Sequence, residues 1–212
     1  MKTDQLIARL AAGPTLPGAS PARQLMLAAA AACLVTAAAM LLSIGPRPDF
    51  AAAAATWRFD LKFVVSLTLA GTALLLLRRA VYPEGLEHAP LWTIFAAPAI
   101  LLAAAGIELS LVPASHWGVT AVGTNWWHCL TLVPLFGIVP LGLALWAMRQ
   151  GAPTRPVLSG FLAGLFAGGI AAAFYAANCT DDSPLFVASW YPVGILGLGL
   201  AGALLGRKVL RW

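Results

Sequence analysis

Charge is what this sequence has least of. Asp, Glu, Lys and Arg make up 10% of its 212 residues, against about 25% in a soluble domain, so a water-facing surface cannot be built around one globular core. Long segments of alternating apolar and polar residues are missing too, which argues against a transmembrane barrel. No phosphate-binding glycine loop, no HExxH and no nucleophile beside a recognisable partner occurs. Cysteine is scarce, with three in all and no CxxC pair, so the usual motif of a thiol-quinone oxidoreductase is absent. No enzymatic activity and no permanent cofactor are expected.

What the chain does have is apolar residue in long blocks. Its hydrophobic content is 60% and its mean hydropathy +0.85. Six blocks of about 20 residues, the length that crosses roughly 30 Å of hydrocarbon as a helix, run near Gln24–Ile44, Phe59–Leu77, Leu91–Val112, Leu130–Met148, Pro156–Ala177 and Leu185–Gly206. The expected fold is an all-α integral membrane protein, a bundle of six transmembrane helices. The expected organisation is an N-terminal tail (1–23), a membrane domain (24–206) and a C-terminal tail (207–212).

The cations orient it. With six spans both termini share a side, and that side holds Lys2, Arg9, Arg23, Arg78, Arg79, Arg149, Arg155, Arg207, Lys208 and Arg211, leaving only Arg47, Arg58 and Lys62 opposite. Ten against three makes the termini cytoplasmic. A pI near 9.6 then reflects topology and attraction to lipid headgroups; no direct contact with nucleic acid is implied.

Inside the tail, "MKTDQLIARLAAG" reads as a short amphipathic helix, capped by Thr3 or Asp4, with Leu6, Ile7, Leu10 and Ala11 on one face; "GPTLPGASP" follows as a linker. Such a helix docks in a partner's groove or lies on the membrane. Gly160, Gly164 and Gly168 in the fifth block, with Gly202 and Gly206 in the sixth, form small-residue stripes suited to close helix packing in lipid. Pro98, Pro134, Pro140 and Pro192 fall inside spans and predict kinks.

The polar chemistry gathers at the outer helix ends. Cys129 follows "NWWH" at the start of the fourth span and Cys179 sits in "AANCTDDSPL" after the fifth. Because consecutive spans are antiparallel, the two thiols can be neighbours. A structural disulfide, a soft-metal site and a redox pair are all compatible with them. Cys33, deep in the first span, reads as a small buried hydrophobe. His116, His128, Asp181, Asp182 and Glu108 lie on the same side as auxiliary candidates, although adjacent His128 and Cys129 diverge by about 100° in a regular helix. Asp182 or Ser183 is expected to cap the sixth helix ahead of Pro184. Asp181 is expected to be free to tune the thiol or bind a cation. Glu108 is expected near outer water, and Asp60 with Lys62 as a surface pair or anchors.

Four stretches, "MKTDQLIARLAA", "WRFDLKFVVSLTLA", "HCLTLVPLFGIVPL" and "NCTDDSPLFVASWYP", in this order with six spans, resemble the NrsF family of bacterial membrane anti-sigma factors. The resemblance implies a protein of the inner membrane that holds an extracytoplasmic-function sigma factor inactive at the cytoplasmic face. It implies that paired periplasmic cysteines, here Cys129 and Cys179, are needed for the response. The family opening makes Lys2, Thr3, Asp4, Leu6, Ile7 and Leu10 candidate sigma contacts, with Arg78 and Arg79 of the charged cytoplasmic loop as a second surface. Soft-ligand preference points to a transiently bound metal such as copper as the signal, with oxidation as the second choice. The competing readings are a small transporter or metal carrier, disfavoured by the scarcity of mid-span polar residues, and a structural membrane subunit whose two cysteines form a helix-clamping disulfide.

Overall fold

The computed structural model describes residues 3–11 and 20–211, which form helices, turns and loops with no strand among them. A short helix α1 (Thr3–Ala11) covers the expected tail helix; Lys2 and the linker up to residue 19 lie outside the described residues. Then follow α2 (Pro21–Ser43), a single turn α3 (Phe50–Ala53), α4 (Trp57–Ala80), a 3-10 turn at Leu91–Phe95 leading into α5 (Ala96–Leu111), α6 (Trp117–Val122), α7 (Trp126–Met148), α8 (Pro156–Ala176) and α9 (Pro184–Val209). Six of these, counting the 3-10 turn with α5, are long and apolar enough to cross a membrane.

Local chemistry sets the ends. The Ser20 hydroxyl accepts from the Arg23 amide at 3.3 Å and Pro21 occupies the first turn of α2, where its missing N–H leaves no bond unmade. Ser183 and Pro184 repeat the device at α9, with Ser183 accepting from the Leu185 amide at 3.2 Å. Arg78 and Arg79 close α4, and Arg207 and Lys208 close α9, cations where the helix dipole leaves negative charge. The fourth span starts four residues before the expected Leu130, at Trp126, because Asn125 and the chain ahead of it are pinned from outside the helix. Pro134, Pro140 and Pro192 are interior. Pro98 is not: it falls in the first turn of α5, where the 3-10 segment gives way to α-helix and a missing N–H costs little.

Helix α8 is the centre of the bundle. It is almost entirely buried and packs against α9, α4, α7 and α2. Its buried residues are mostly Gly and Ala, so neighbours approach to backbone contact. A Cβ on Gly160 would strike the Gly202 carbonyl, and one on Gly202 would strike the Gly160 carbonyl in return. Gly164 and Gly206 take part in the same seam, which matches the small-residue stripes and their packing logic in lipid. The outside of the bundle is the reverse of a soluble protein's, with Leu34, Leu42, Trp92, Leu102 and Leu204 among many exposed apolar side chains.

Candidate functional site

The loop after α8, residues 177–183, is tied down from four directions. On one side it meets the connection between α2 and α3. Asn178 donates to the Gly45 carbonyl at 2.9 Å, and the Arg47 amide donates to the Ala177 carbonyl at 3.0 Å. The Arg47 guanidinium reaches Asp182 at 2.8 and 2.9 Å and grips Asp49 with two further bonds of 2.6 and 2.7 Å. From α4, the Lys62 ammonium donates to the Asp182 carboxylate at 2.6 Å and to the Cys179 carbonyl at 2.8 Å. Lys62 is 0% exposed and Arg47 8%. Two buried cations therefore share two carboxylates, and the Phe59 ring lies beside both, 5.0 Å from the Lys62 nitrogen. Burial of charge on this scale is tolerated only with such pairing.

The opposite side of the loop holds α7. Asp181 accepts from the backbone amides of Thr124 and Asn125 at 3.0 and 2.7 Å, and the Asn125 side chain donates to Thr180 at 2.9 Å. Gly123, at φ +61°, makes the turn into this contact; a side chain there would run into Phe186 and Asp181. The fourth tie runs to α5, where Ser183 donates to Glu108 at 3.4 Å and Glu108 accepts from Arg58 of α4 at 2.9 and 3.1 Å.

Beneath this cap lie the two cysteines. Cys129, in the first turn of α7, is 0% exposed and Cys179 1%. Both are free thiols, close enough to interact electrostatically. Burial pushes the Cys179 thiol above the ordinary range, opposed by the nearby Lys62 charge, by a hydrogen bond from the Asp181 backbone and by the Tyr175 hydroxyl. At rest it is a protonated, sluggish thiol. In the loop above, the hydrogen bond to Asp49 and the charge of Asp182 raise Arg47 beyond its usual value. Arg47 in turn holds the exposed Asp49 below the usual carboxylate range.

Some sequence expectations change here. Lys62 is not a surface partner of Asp60: it points inward to Asp182, because a lone ammonium inside the bundle needs a carboxylate. Asp182 does not cap α9, which Ser183 does alone. Asp181 is not free, since its carboxylate is spent on α7's entry. Glu108 is 2% exposed and paired rather than facing water. His128 is exposed while adjacent Cys129 is buried, as their helical divergence requires, and His116 is exposed beside Ser115. Among the described residues no three His, Cys, Asp or Glu converge as a metal cluster, so the soft donors at this point are the two sulfurs. On the far side of the bundle Arg78 and Arg79 are exposed, and Arg79 donates to the His88 carbonyl at 3.3 Å; Thr3, Asp4 and Ile7 of α1 are exposed as well.

Arg47 and Arg58 are the residues that sequence reasoning passed over, and Lys62 is the one it paired wrongly. Their partners stand 135, 50 and 120 positions away. The signal that pointed to them was present, since the division of cations read from the sequence leaves just these three opposite the other ten.

The chain is similar to known proteins along its whole length. The chain is 36% identical over 220 residues to the anti-sigma-F factor NrsF of Caulobacter vibrioides (strain NA1000 / CB15N), all of both chains being covered. It is 31% identical over 223 residues to the probable anti-sigma-F factor NrsF of Azospira oryzae (strain ATCC BAA-33 / DSM 13638 / PS), again across the whole of both. No solved structure matches it. Residues 10–212 match the family described as NrsF, negative regulator of sigma F, and the chain belongs to that family.

Proposed function

We propose that the protein is a six-span anti-sigma factor of the bacterial inner membrane, with both termini cytoplasmic, that holds an extracytoplasmic-function sigma factor at its inner face. It releases that factor when Cys129 and Cys179 on the periplasmic side react. Membrane insertion is supported by the apolar exterior of the bundle, and the orientation by the ten-to-three split of cations. The relatives named as anti-sigma-F factors support the partner. The sigma-binding surface is assigned to the tail, residues 1–23 with Thr3, Asp4 and Ile7, and to the Arg78 and Arg79 loop; the membrane domain 24–206 carries the signal.

The observation that carries the sensing step is a pair of unbridged, buried thiols under a loop held by buried charge. Two balanced reactions are available. A two-electron oxidant such as a peroxide takes up two electrons and two protons as the thiols join in a disulfide, or a thiophilic ion such as Cu(I) displaces both thiol protons and is held by the two sulfurs. Either one draws Cys179 toward the start of α7. Because the Cys179 carbonyl and Asp182 bind Lys62 and Arg47, movement of the loop loosens α4 and the end of α2. Those helices lead to the charged inner loop and to the tail. A differential affinity of about 5.5 kcal/mol swings a two-state population from 1:99 to 99:1.

The test is a reporter of sigma activity with each cysteine replaced. Cys129→Ser and Cys179→Ser should stay in the membrane, keep sigma bound and fail to respond to copper or peroxide. Constitutive release by either would make the cysteines structural instead. Deleting residues 1–13 should free sigma; continued repression would move the docking surface to the Arg78–His88 loop.

A further inference from the structure

The end of the bundle away from the thiols carries cations that the fold leaves without acids. At the thiol end Arg47, Arg58 and Lys62 each hold a carboxylate. At the other end Arg149, just after α7, Arg207 and Lys208, in the last turn of α9, and Arg211, just after it, are all exposed, and none is in an ion pair among the described residues. They line two adjoining clefts. One, of about 410 Å³, lies between the ends of α7 and α9 and is lined by Trp146, Arg149, Gln150, Val209 and Arg211. The other, of about 590 Å³, is lined by Leu204, Arg207, Lys208 and Arg211. Arg211 belongs to both, and no carboxylate lines either.

Helix ends account for only part of this charge. A helix C-terminus carries about half a negative charge, so the two ends complement about one of the four cations and roughly three positive charges remain. That surplus selects an anion, and walls without a carboxylate reject a headgroup that brings its own ammonium. The level along the bundle selects a lipid as the anion's carrier. Helix α9 has 26 residues, about 39 Å of helix, which outruns a hydrocarbon layer of about 30 Å by more than its last turn. The surface leading away from the clefts is apolar: Trp146, Leu204 and Leu200 are 57%, 67% and 62% exposed, and Leu200 and Leu204, four residues apart, share a face of α9. An acidic peptide would engage the cations and leave this stripe uncovered. A phospholipid covers both with one molecule.

We propose that the clefts at the ends of α7 and α9 form a binding site for an anionic phospholipid, its phosphate held by Arg149 and Arg211 and an acyl chain lying along Leu204 and Leu200. Arginine suits the task, because its planar fork of donors meets phosphate oxygens two at a time. Gln150 adds a neutral amide for the hydroxyls of a glycerol headgroup, and Trp146 sits where an indole favours the boundary between chains and headgroups. Arg207 and Lys208, in the neighbouring cleft, add attraction at longer range. The site rests on the bundle spanning a bilayer; it depends neither on the thiols nor on sigma binding.

The experiment titrates the full-length protein in neutral detergent with phosphatidylglycerol or phosphatidylcholine of the same acyl chains, and native mass spectrometry counts the lipid retained. Phosphatidylglycerol should bind more tightly. Arg149→Gln with Arg211→Gln should weaken it by about 25-fold, roughly fivefold for each cation at a lipid surface. Arg78→Gln with Arg79→Gln, which removes as much charge from the same end of the bundle but outside the clefts, should leave it unchanged. Inorganic phosphate and polyglutamate should not displace the lipid. The proposal is overturned if the two lipids bind equally, if both double variants lose phosphatidylglycerol alike, or if polyglutamate displaces it, which would make the clefts a protein-docking surface; displacement by phosphate alone would make them a site for a free anion. Flotation with vesicles of each lipid reads the membrane assignment separately: a protein that floats with both and prefers neither loses the lipid site alone, and one that floats with neither loses both.

Discussion

Removing the Lys62 ammonium tests whether the 177–183 loop is held by charge. The contact is short, 2.6 Å to Asp182, and the lysine is 0% exposed while its partner is 21% exposed. At an effective dielectric of about 20, unit charges at that separation attract by roughly 6 kcal/mol before desolvation is counted. Desolvation removes much of this, and cutting one partner from a buried pair typically costs about 3–5 kcal/mol. Asp182 keeps Arg47 and some solvent, so Lys62→Met should fall at the low end, about 3 kcal/mol. Asp182→Asn leaves Lys62 without a carboxylate, holding only the Cys179 carbonyl, and half-strands Arg47, and should cost more. The double variant keeps the Arg47–Asp49 pair and loses only one buried cation with its carboxylate, so its cost should be about 2 kcal/mol less than the sum of the singles. Equilibrium unfolding in mixed micelles, with all four proteins in one series, reads the cycle. Additivity within about 0.5 kcal/mol would show that the two groups do not interact, and the charge-held loop would have to be abandoned.

Three further outcomes follow from the same geometry. Gly160→Leu or Gly202→Val should cost about 3 kcal/mol or more through overpacking of the α8–α9 seam, whereas Gly142→Ala and Gly197→Ala, with nothing near the added carbon, should fold as well as the parent; thermal unfolding separates the two sets. In a Cys33→Ser, Cys129→Ser background, alkylation of Cys179 by iodoacetamide should rise with an inflection above that of a free cysteine. Its folded thiol titrates above the unfolded one, so stability is full below the unfolded value and declines as pH climbs toward the folded value. Arg58→Met, which strips the 2%-exposed Glu108 of its cation, should destabilise more than Glu108→Gln, which leaves only the 41%-exposed Arg58 unpaired; equal losses by chemical denaturation would place Glu108 in water.

The six long helices were legible because hydropathy over twenty residues is a local property, and local properties survive in a string of letters. Their ends came out within a few residues wherever a cap was also local, as with Ser183 and Pro184. The start of α7 was missed because it is pinned by Asp181, 56 positions along. Lys62 was misread for the same reason. Its neighbour Asp60 offers a plausible local partner, and nothing nearby in the chain reveals that the side chain points inward to Asp182. The thiol pair was placed correctly at one end of adjacent antiparallel helices, but the sequence carried no sign that a salt-bridged loop buries it.

The loop over the thiols works as the keystone of an arch. Four pieces of this end of the bundle rest on seven residues, which hold them by hydrogen bonds and buried charge in addition to the direct packing of α2 on α7 and α4 on α5. Such a structure has few intermediate states: while the stone is seated all pieces are held, and once it shifts they loosen together. The amides around residues 45–47, 124–125 and 177–183 should therefore exchange with solvent as one cooperative unit with a shared opening free energy. A signal acting on two sulfur atoms would reach three helices in a single event.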